Sequence, residues 1–225
     1  MKIFSVKTIP SVSWSSPRAL NFRPRFITLF ILCVGLFVFG VGEAMLIAAG
    51  AGNSPWTVLS QGISQISGWS IGVTTFLTSL AVLLLWIPLK QTPGIGTILN
   101  AVIISIAIEV SLPYLPRTDI YALQLVETVA GIMLVGFGSG LYLIANLGPG
   151  PRDGLMTGLQ RVSKLPVAKV RTAIEITVVI FGWLLGGTVG LGTLMFAFGI
   201  GPAVAMGLYF VNLRSTIAQQ GRTSL

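Results

Sequence analysis

Six long apolar segments, carrying few charges, decide what this chain can fold into. They cover residues 26–49, 71–89, 95–112, 121–145, 167–185 and 191–211. A bilayer core of about 30 Å needs roughly 20 apolar residues in a helix. Composition agrees, with 53% hydrophobic and only 9% charged residues; an ordinary soluble domain carries roughly 25% charged residues. The expected fold is therefore all-α, a polytopic membrane helix bundle of about six transmembrane helices. The fifth segment opens with Lys169 and Arg171, so its embedded part is expected to begin near Thr172.

The cations orient these segments. Lys2, Lys7, Arg18, Arg23 and Arg25 precede the first segment, and Lys90 lies between the second and third. Arg152, Arg161, Lys164, Lys169 and Arg171 lie between the fourth and fifth, and Arg214 and Arg222 follow the sixth. With six crossings these thirteen fall on one side, leaving Arg117 alone on the other. Positive loops stay in the cytoplasm, so both termini are expected there, in a bacterial plasma (inner) membrane. The net charge of +8 is read as topology rather than as a nucleic-acid footprint. The expected parts are a polar cytoplasmic tail over 1–25, disordered or lying on the surface, membrane repeats over 26–112 and 121–212, and a cytoplasmic tail over 213–225. A cleaved signal peptide is the alternative for the N-terminus, but the apolar run there is too long for a signal core and ends at no clear cleavage site.

The chain has one cysteine, Cys33, and no histidine. That excludes an intramolecular disulfide, Ser-His-Asp and Cys-His catalysis, and histidine-ligated metals. No cofactor or metal is expected.

Shifted by 96 residues, the sequence matches itself without a gap. Gly35, Gly40 and Gly42 fall on Gly131, Gly136 and Gly138; Gly52 and Pro55 fall on Gly148 and Pro151. Thr92, Gly94, Gly96 and Thr97 fall on Thr188, Gly190, Gly192 and Thr193. Shared Gly-rich bias gives scattered matches, not several patterned runs in one register. Each half holds three crossings, an odd number, so the halves are expected to be inverted relative to each other, a common plan for secondary transporters. The glycines are expected to serve close helix packing.

Each half carries one short segment opened by glycine and proline, at Gly52-Asn-Ser-Pro55 and Gly148-Pro-Gly-Pro151. Proline starts a helix well because its missing N–H would be unpaired there anyway. Trp56, Leu59, Ile63 and Ile66 form one apolar stripe, and Leu155, Leu159 and Val162 the other. About 12 residues is too short to span. These half-helices either lie on opposite membrane surfaces or dip inward, their N-terminal ends facing a shared cavity that favours an anion. The cations Arg161 and Lys164 argue for the surface.

Glu43, Glu109, Glu127 and Glu175 sit in or near apolar segments. A carboxylate at mid-membrane costs roughly 2.5 kcal/mol or more, so it faces protein or water. Glu109 and Glu127 lie near outer ends, where interfacial solvation suffices. Glu43 is the better cavity candidate, as is Glu175, which can meet Arg171 one turn earlier. The candidate ligand-binding residues are Asn53, Pro55, Gly148, Pro151, Arg152, Asp153, Glu43 and Glu175, with no catalytic residue assigned.

The run Ala145-Asn-Leu-Gly-Pro-Gly-Pro-Arg-Asp-Gly-Leu-Met-Thr-Gly158 resembles the signature of the YczE-type membrane proteins, in the wider YczE/YyaS/YitT group of bacteria. Gly52-Asn-Ser-Pro-Trp-Thr-Val-Leu-Ser-Gln-Gly62 resembles it as well. The resemblance covers roughly residues 25–214. It implies a polytopic bacterial plasma-membrane protein and carries over no activity and no catalytic residue.

Three functions fit. The first is a small-solute transporter or exporter working by rocking of inverted repeats. The second is an intramembrane lipid-phosphate hydrolase, with Arg152 clamping a phosphate and Glu43 as base. The third is a non-catalytic membrane partner of another protein. Transport leads, which leaves enzymatic activity open as the less favoured reading. Its expected partners are the lipid bilayer and a small solute, with homo-oligomerisation open and no nucleic acid.

Overall fold

The computed structural model describes residues 9–223, with side chains to residue 213. Lys2 and Lys7, and the side chains of Arg214 and Arg222, lie outside this part. The described residues form helices and no strand. In order they are α1 (Phe26–Ala49), α2 (Pro55–Ser67), α3 (Ile71–Trp86), α4 (Ile95–Ser111, with a 3₁₀ turn to Tyr114), α5 (Tyr121–Ala145), α6 (Pro151–Ser163), α7 (Val167–Leu184) and α8 (Leu191–Thr223).

Four helices, α1, α4 with its 3₁₀ turn, α5 and α8, are long and apolar enough to cross a membrane. Helix α3 has only 16 residues, and α7 carries Lys169, Arg171 and Glu175 within 18. Joined at a bend of 116°, α2 and α3 reach the standard together. By length and composition the described helices thus give four crossings, or five with the bent pair, against the six expected. Large apolar side chains such as Leu84, Val126, Phe181 and Phe198 are exposed on the outside of the bundle, as a lipid solvent requires.

Small residues set how the long helices pack. A Cβ on Gly138 would lie 2.6 Å from Gly35 O, and one on Gly42 would lie 2.8 Å from Gly131 O. Partner numbers fall on α5 as they rise on α1, so these two helices run antiparallel. Gly136 packs on Ala203, and Gly140 on Gly207 and Leu208. Here both numbers rise together, so α5 and α8 run parallel. Gly40 packs on Ala107, the α1–α4 contact 96 residues earlier. In lipid no hydrophobic effect drives helices together, and such close backbone approach supplies the attraction.

By their cores the helices form two groups, which meet where α3 packs on α4. Leu32, Leu36, Ile104, Ile108 and Tyr142 join α1, α4 and α5. Leu46, Ile132, Val135, Phe196 and Ile200 join α1, α5 and α8. A third core, Trp56, Val82, Trp86, Leu155 and Val178, joins α2, α3, α6 and α7. The short helices are exchanged within it, α2 packing on α7 and α6 on α3.

Left-handed backbone falls at paired places. Gly50 and Asn146, Gly52 and Gly148, Gly68 and Lys164, and Lys90 and Gly186 all have positive φ. Each pair is 96 residues apart. Cross-bracing follows the same spacing: Gly96 N–H donates to Leu147 O and Gly192 N–H to Ala51 O, both at 2.8 Å.

Two terminal segments carry more structure than the sequence reading described. The N-terminal tail is seated where it is described. Ser16 N–H donates to Ala145 O at 3.0 Å, Asn146 Nδ2 donates to Ser16 O at 2.9 Å, and the Thr28 hydroxyl donates to Trp14 O. The end of α5 leaves carbonyls without helical partners, and the tail supplies a donor. Helix α8 continues to Thr223, past the end of its apolar segment and through most of the expected tail over 213–225. No proline follows Pro202 to stop it.

Candidate functional site

After α1 the chain folds back on itself. Ser54 Oγ, at the N-cap of α2, donates to Glu43 Oε2 at 2.8 Å. Thr57 Oγ1 donates to the same oxygen at 2.7 Å. Glu43 lies six residues before the end of α1, about 9 Å back along the helix axis at 1.5 Å per residue. The start of α2 therefore lies beside the interior of α1, not beyond its tip. Helix α6 starts in the same way, with Tyr142 of α5 donating its hydroxyl to Asp153 Oδ2 at 2.7 Å.

Both starts open onto one cavity of about 280 Å³. Every helix contributes to its lining, which places it between the two helix groups. Its polar lining includes Glu43, Ser54, Asn100, Ser139, Arg152 and Asp153, and its apolar lining includes Phe39, Ile104, Met156 and Phe196. The Arg152 guanidinium stacks over the Trp56 ring, 5.4 Å from its centroid. Trp56 and Arg152 are each the second residue of their half-helix and are 96 residues apart. Their contact means that the two half-helix N-termini meet.

Neither N-terminus has a side-chain cap. A serine at the N-cap ordinarily accepts from the backbone N–H of the second or third helical residue; here the Ser54 hydroxyl is turned to Glu43 instead. Gly150 at the N-cap of α6 has no side chain to offer. Uncapped N–H groups and the helix dipole leave about half a positive charge at each start.

Glu43 is fully buried, and its Oε1 has no hydrogen-bond partner in the described protein. Trp56 Nε1 and Thr75 Oγ1, also on cavity-lining residues, are likewise unpartnered. Arg171 and Glu175 line the cavity as an ion pair at 2.8 Å. The cavity thus has a charged lining, beside which buried donors and an acceptor make no hydrogen bond within the described protein.

Five of the eight sequence candidates line it: Glu43, Pro55, Arg152, Asp153 and Glu175. The other three stand behind it. Gly148 takes φ 111° against Gly94 and Thr97, where a Cβ would lie 2.8 Å from Thr97 Oγ1. The Pro151 carbonyl accepts from Trp86 Nε1 at 3.0 Å. Asn53 Nδ2 donates to Gln61 Oε1 at 2.8 Å, and that oxygen also accepts from Thr188 N–H at 2.7 Å, tying the turn before α2 to the turn before α8. Of the outer acids, Glu109 accepts from Gly72 N–H at 3.1 Å, and neither it nor Glu127 lines the cavity.

Sequence reading missed Tyr142, Ser54, Thr57 and Trp56. Their types carry no signal in an apolar helix, and their partners lie in other elements. The 96-residue shift offered one clue: Thr57 falls on Asp153, and each meets its own half's preceding long helix.

A family model described as a family of unknown function, DUF6198, matches residues 26–208. An uncharacterized protein of Haemophilus influenzae is 41% identical over 209 residues, covering 92% of this chain and 93% of that protein. The uncharacterized membrane protein YczE of Bacillus subtilis is 32% identical over 165 residues, covering 72% and 77%. The uncharacterized protein YyaS of the same organism is 26% identical over 167 residues, covering 72% and 83%. No solved structure matches the chain.

Proposed function

The chain belongs to the family of unknown function DUF6198 and is a YczE-type membrane protein, and we propose that it is a small-solute transporter built from two inverted repeats. The observation that carries this reading is the meeting of the two uncapped half-helix starts, Trp56 against Arg152, at one central cavity. Discontinuous helices whose N-termini face a shared site in matching places of two repeats are a transporter arrangement.

The reading takes six crossings. If α1 and α4 both cross and run parallel, α3 must bring the chain back between them. The same holds for α7 between α5 and α8. Antiparallel α1 and α5 then place the repeats in opposite orientations. Helices α2 and α6 become re-entrant half-helices, entering from opposite sides. Positive loops put both termini in the cytoplasm of a bacterium. The two helix groups each have their own core and stay joined where α3 packs on α4. Rocking one against the other would open the cavity to each side in turn, with Arg152 and Glu43 holding the solute.

Counterflow tests this reading without a known substrate. Proteoliposomes are loaded with a bacterial metabolite extract, and the solutes released are identified by mass spectrometry. At least one solute is expected to leave ten times faster than from protein-free liposomes. Loss of a buried solute–guanidinium contact costs roughly 2–5 kcal/mol. That flux is therefore expected to fall at least 30-fold in the double variant Arg152→Ala, Glu175→Gln. No released solute, or unchanged flux in the variant, contradicts the assignment.

A further inference from the structure

Five charged side chains line the cavity: Glu43, Arg152, Asp153, Arg171 and Glu175. Arg171 and Glu175 pair with each other at 2.8 Å, and Asp153 is held by Tyr142 at 2.7 Å. Glu43 and Arg152 are different. Among the described residues neither has an oppositely charged group within 4 Å. They carry opposite charges, line one cavity and form no ion pair with each other. Each is tethered in its own place, Arg152 over the Trp56 ring and Glu43 Oε2 under the hydroxyls of Ser54 and Thr57. The tethers leave Glu43 Oε1 without a partner in a residue that is 0% exposed.

Opposite charges attract, and a buried acceptor left unpaired costs about 1–3 kcal/mol. A gap held open between two such groups is complementary to a ligand with its own separated charges. We infer that the cavity binds a small zwitterion, its carboxylate taken by Arg152 and the uncapped start of α6, and its ammonium taken by Glu43 Oε1. The charge balance agrees. With every group ionised, two guanidinia against three carboxylates leave one negative charge, and the two helix starts offset it at about half a charge each. A nearly neutral site suits a ligand of no net charge. Phe39, Ile104, Met156 and Phe196 would surround the apolar body of such a molecule. This inference rests on the cavity being the transport site, and it names the solute class.

The probes are the twenty common α-amino acids, each compared with its deaminated acid and its decarboxylated amine. Binding to the purified full-length chain in detergent is read by thermal shift and by titration calorimetry. At least one amino acid is expected to raise Tm, and both of its singly charged analogues to bind at least tenfold more weakly. Glu43→Gln is expected to remove the preference over the deaminated acid, and Arg152→Gln the preference over the amine. The wild-type comparison stands without either variant, should one fold poorly. Absence of a shift from all twenty, or a singly charged analogue that binds as tightly as its parent, overturns the inference. If such a singly charged solute also moves across proteoliposomes, the inference falls while the transport reading stands. If an amino acid binds with the stated preference but never crosses, the transport reading falls and the site remains.

Discussion

Leucine at Gly136 is expected to cost about 3 kcal/mol and lower the unfolding temperature by roughly 10 °C. Gly136 lies where α5 meets α8, and its position has no room for a side chain. A Cβ there would sit 2.5 Å from Ala203 Cβ and 2.7 Å from Ala203 O. These are backbone or near-backbone atoms, which cannot rotate away as the tip of a long side chain can. The helices must separate, and separation removes the close approach that holds them together in lipid. Gly201, two residues before Ala203 on α8, provides the control. Nothing lies within 4 Å of a Cβ at that place, so Gly201→Leu is expected to leave stability within about 0.5 kcal/mol of wild type. Thermal unfolding followed by fluorescence-detected gel filtration compares the two. Equal stabilities would mean that α5 and α8 do not pack as described.

Gly154→Val is expected to unseat α6, and a second substitution is expected to reseat it. A Cβ at Gly154 overlaps the Trp86 ring. Trp86 is 2% exposed and donates its indole N–H to Pro151 O at 3.0 Å, so it has nowhere to go. The other half solves the same packing problem the opposite way round. Val58 stands 96 residues before Gly154, and Gly182 stands 96 residues after Trp86. Gly182 packs against the Val58 and Leu59 backbone. One half pairs valine on the half-helix with glycine on its partner; the other pairs glycine with tryptophan. Trp86→Gly alone empties a large volume and is expected to cost about 4 kcal/mol. The double variant Gly154→Val, Trp86→Gly copies the first half's arrangement. It is expected to recover about 2 kcal/mol relative to the sum of the two single losses, the coupling typical of contacting residues. Additive losses in the cycle would show that the two contacts are not equivalent.

Much of this fold was legible because lipid allows few solutions. Every expected apolar segment is helical, and the 96-residue register marks the same turns that take left-handed backbone, from Gly50 and Asn146 to Lys90 and Gly186. Prolines at the first position placed the starts of α2 and α6 correctly. The apolar stripes of the half-helices were visible, but not their destination. Trp56 and Leu155 pack in a shared core with Trp86 and Val178, an exchange between halves that periodicity cannot encode. Arg161 and Lys164 spoke only for one end of α6. Both are exposed at the far end of α6, while Arg152 at its start lines the cavity. Seating of the tail by Ser16 and Asn146 was hidden because each uses a single hydrogen bond with no pattern around it. Asn53 looked like a ligand residue from its place beside Pro55, yet it contacts Gln61, eight residues further on, where no motif pointed.

The central claim is that α2 and α6 enter one cavity from opposite sides of the membrane. Their far ends must then face opposite compartments. Gln65 on α2 and Arg161 on α6 are equivalent exposed positions 96 residues apart. In a Cys33→Ser background, Gln65→Cys or Arg161→Cys supplies a single thiol. Intact cells are treated with a membrane-impermeant maleimide, with permeabilised cells as the access control. The account predicts that Gln65→Cys labels in intact cells and that Arg161→Cys labels only after permeabilisation. Labelling of both from the same side would contradict it, because the repeats would then be parallel and the shared cavity could not be reached from both faces.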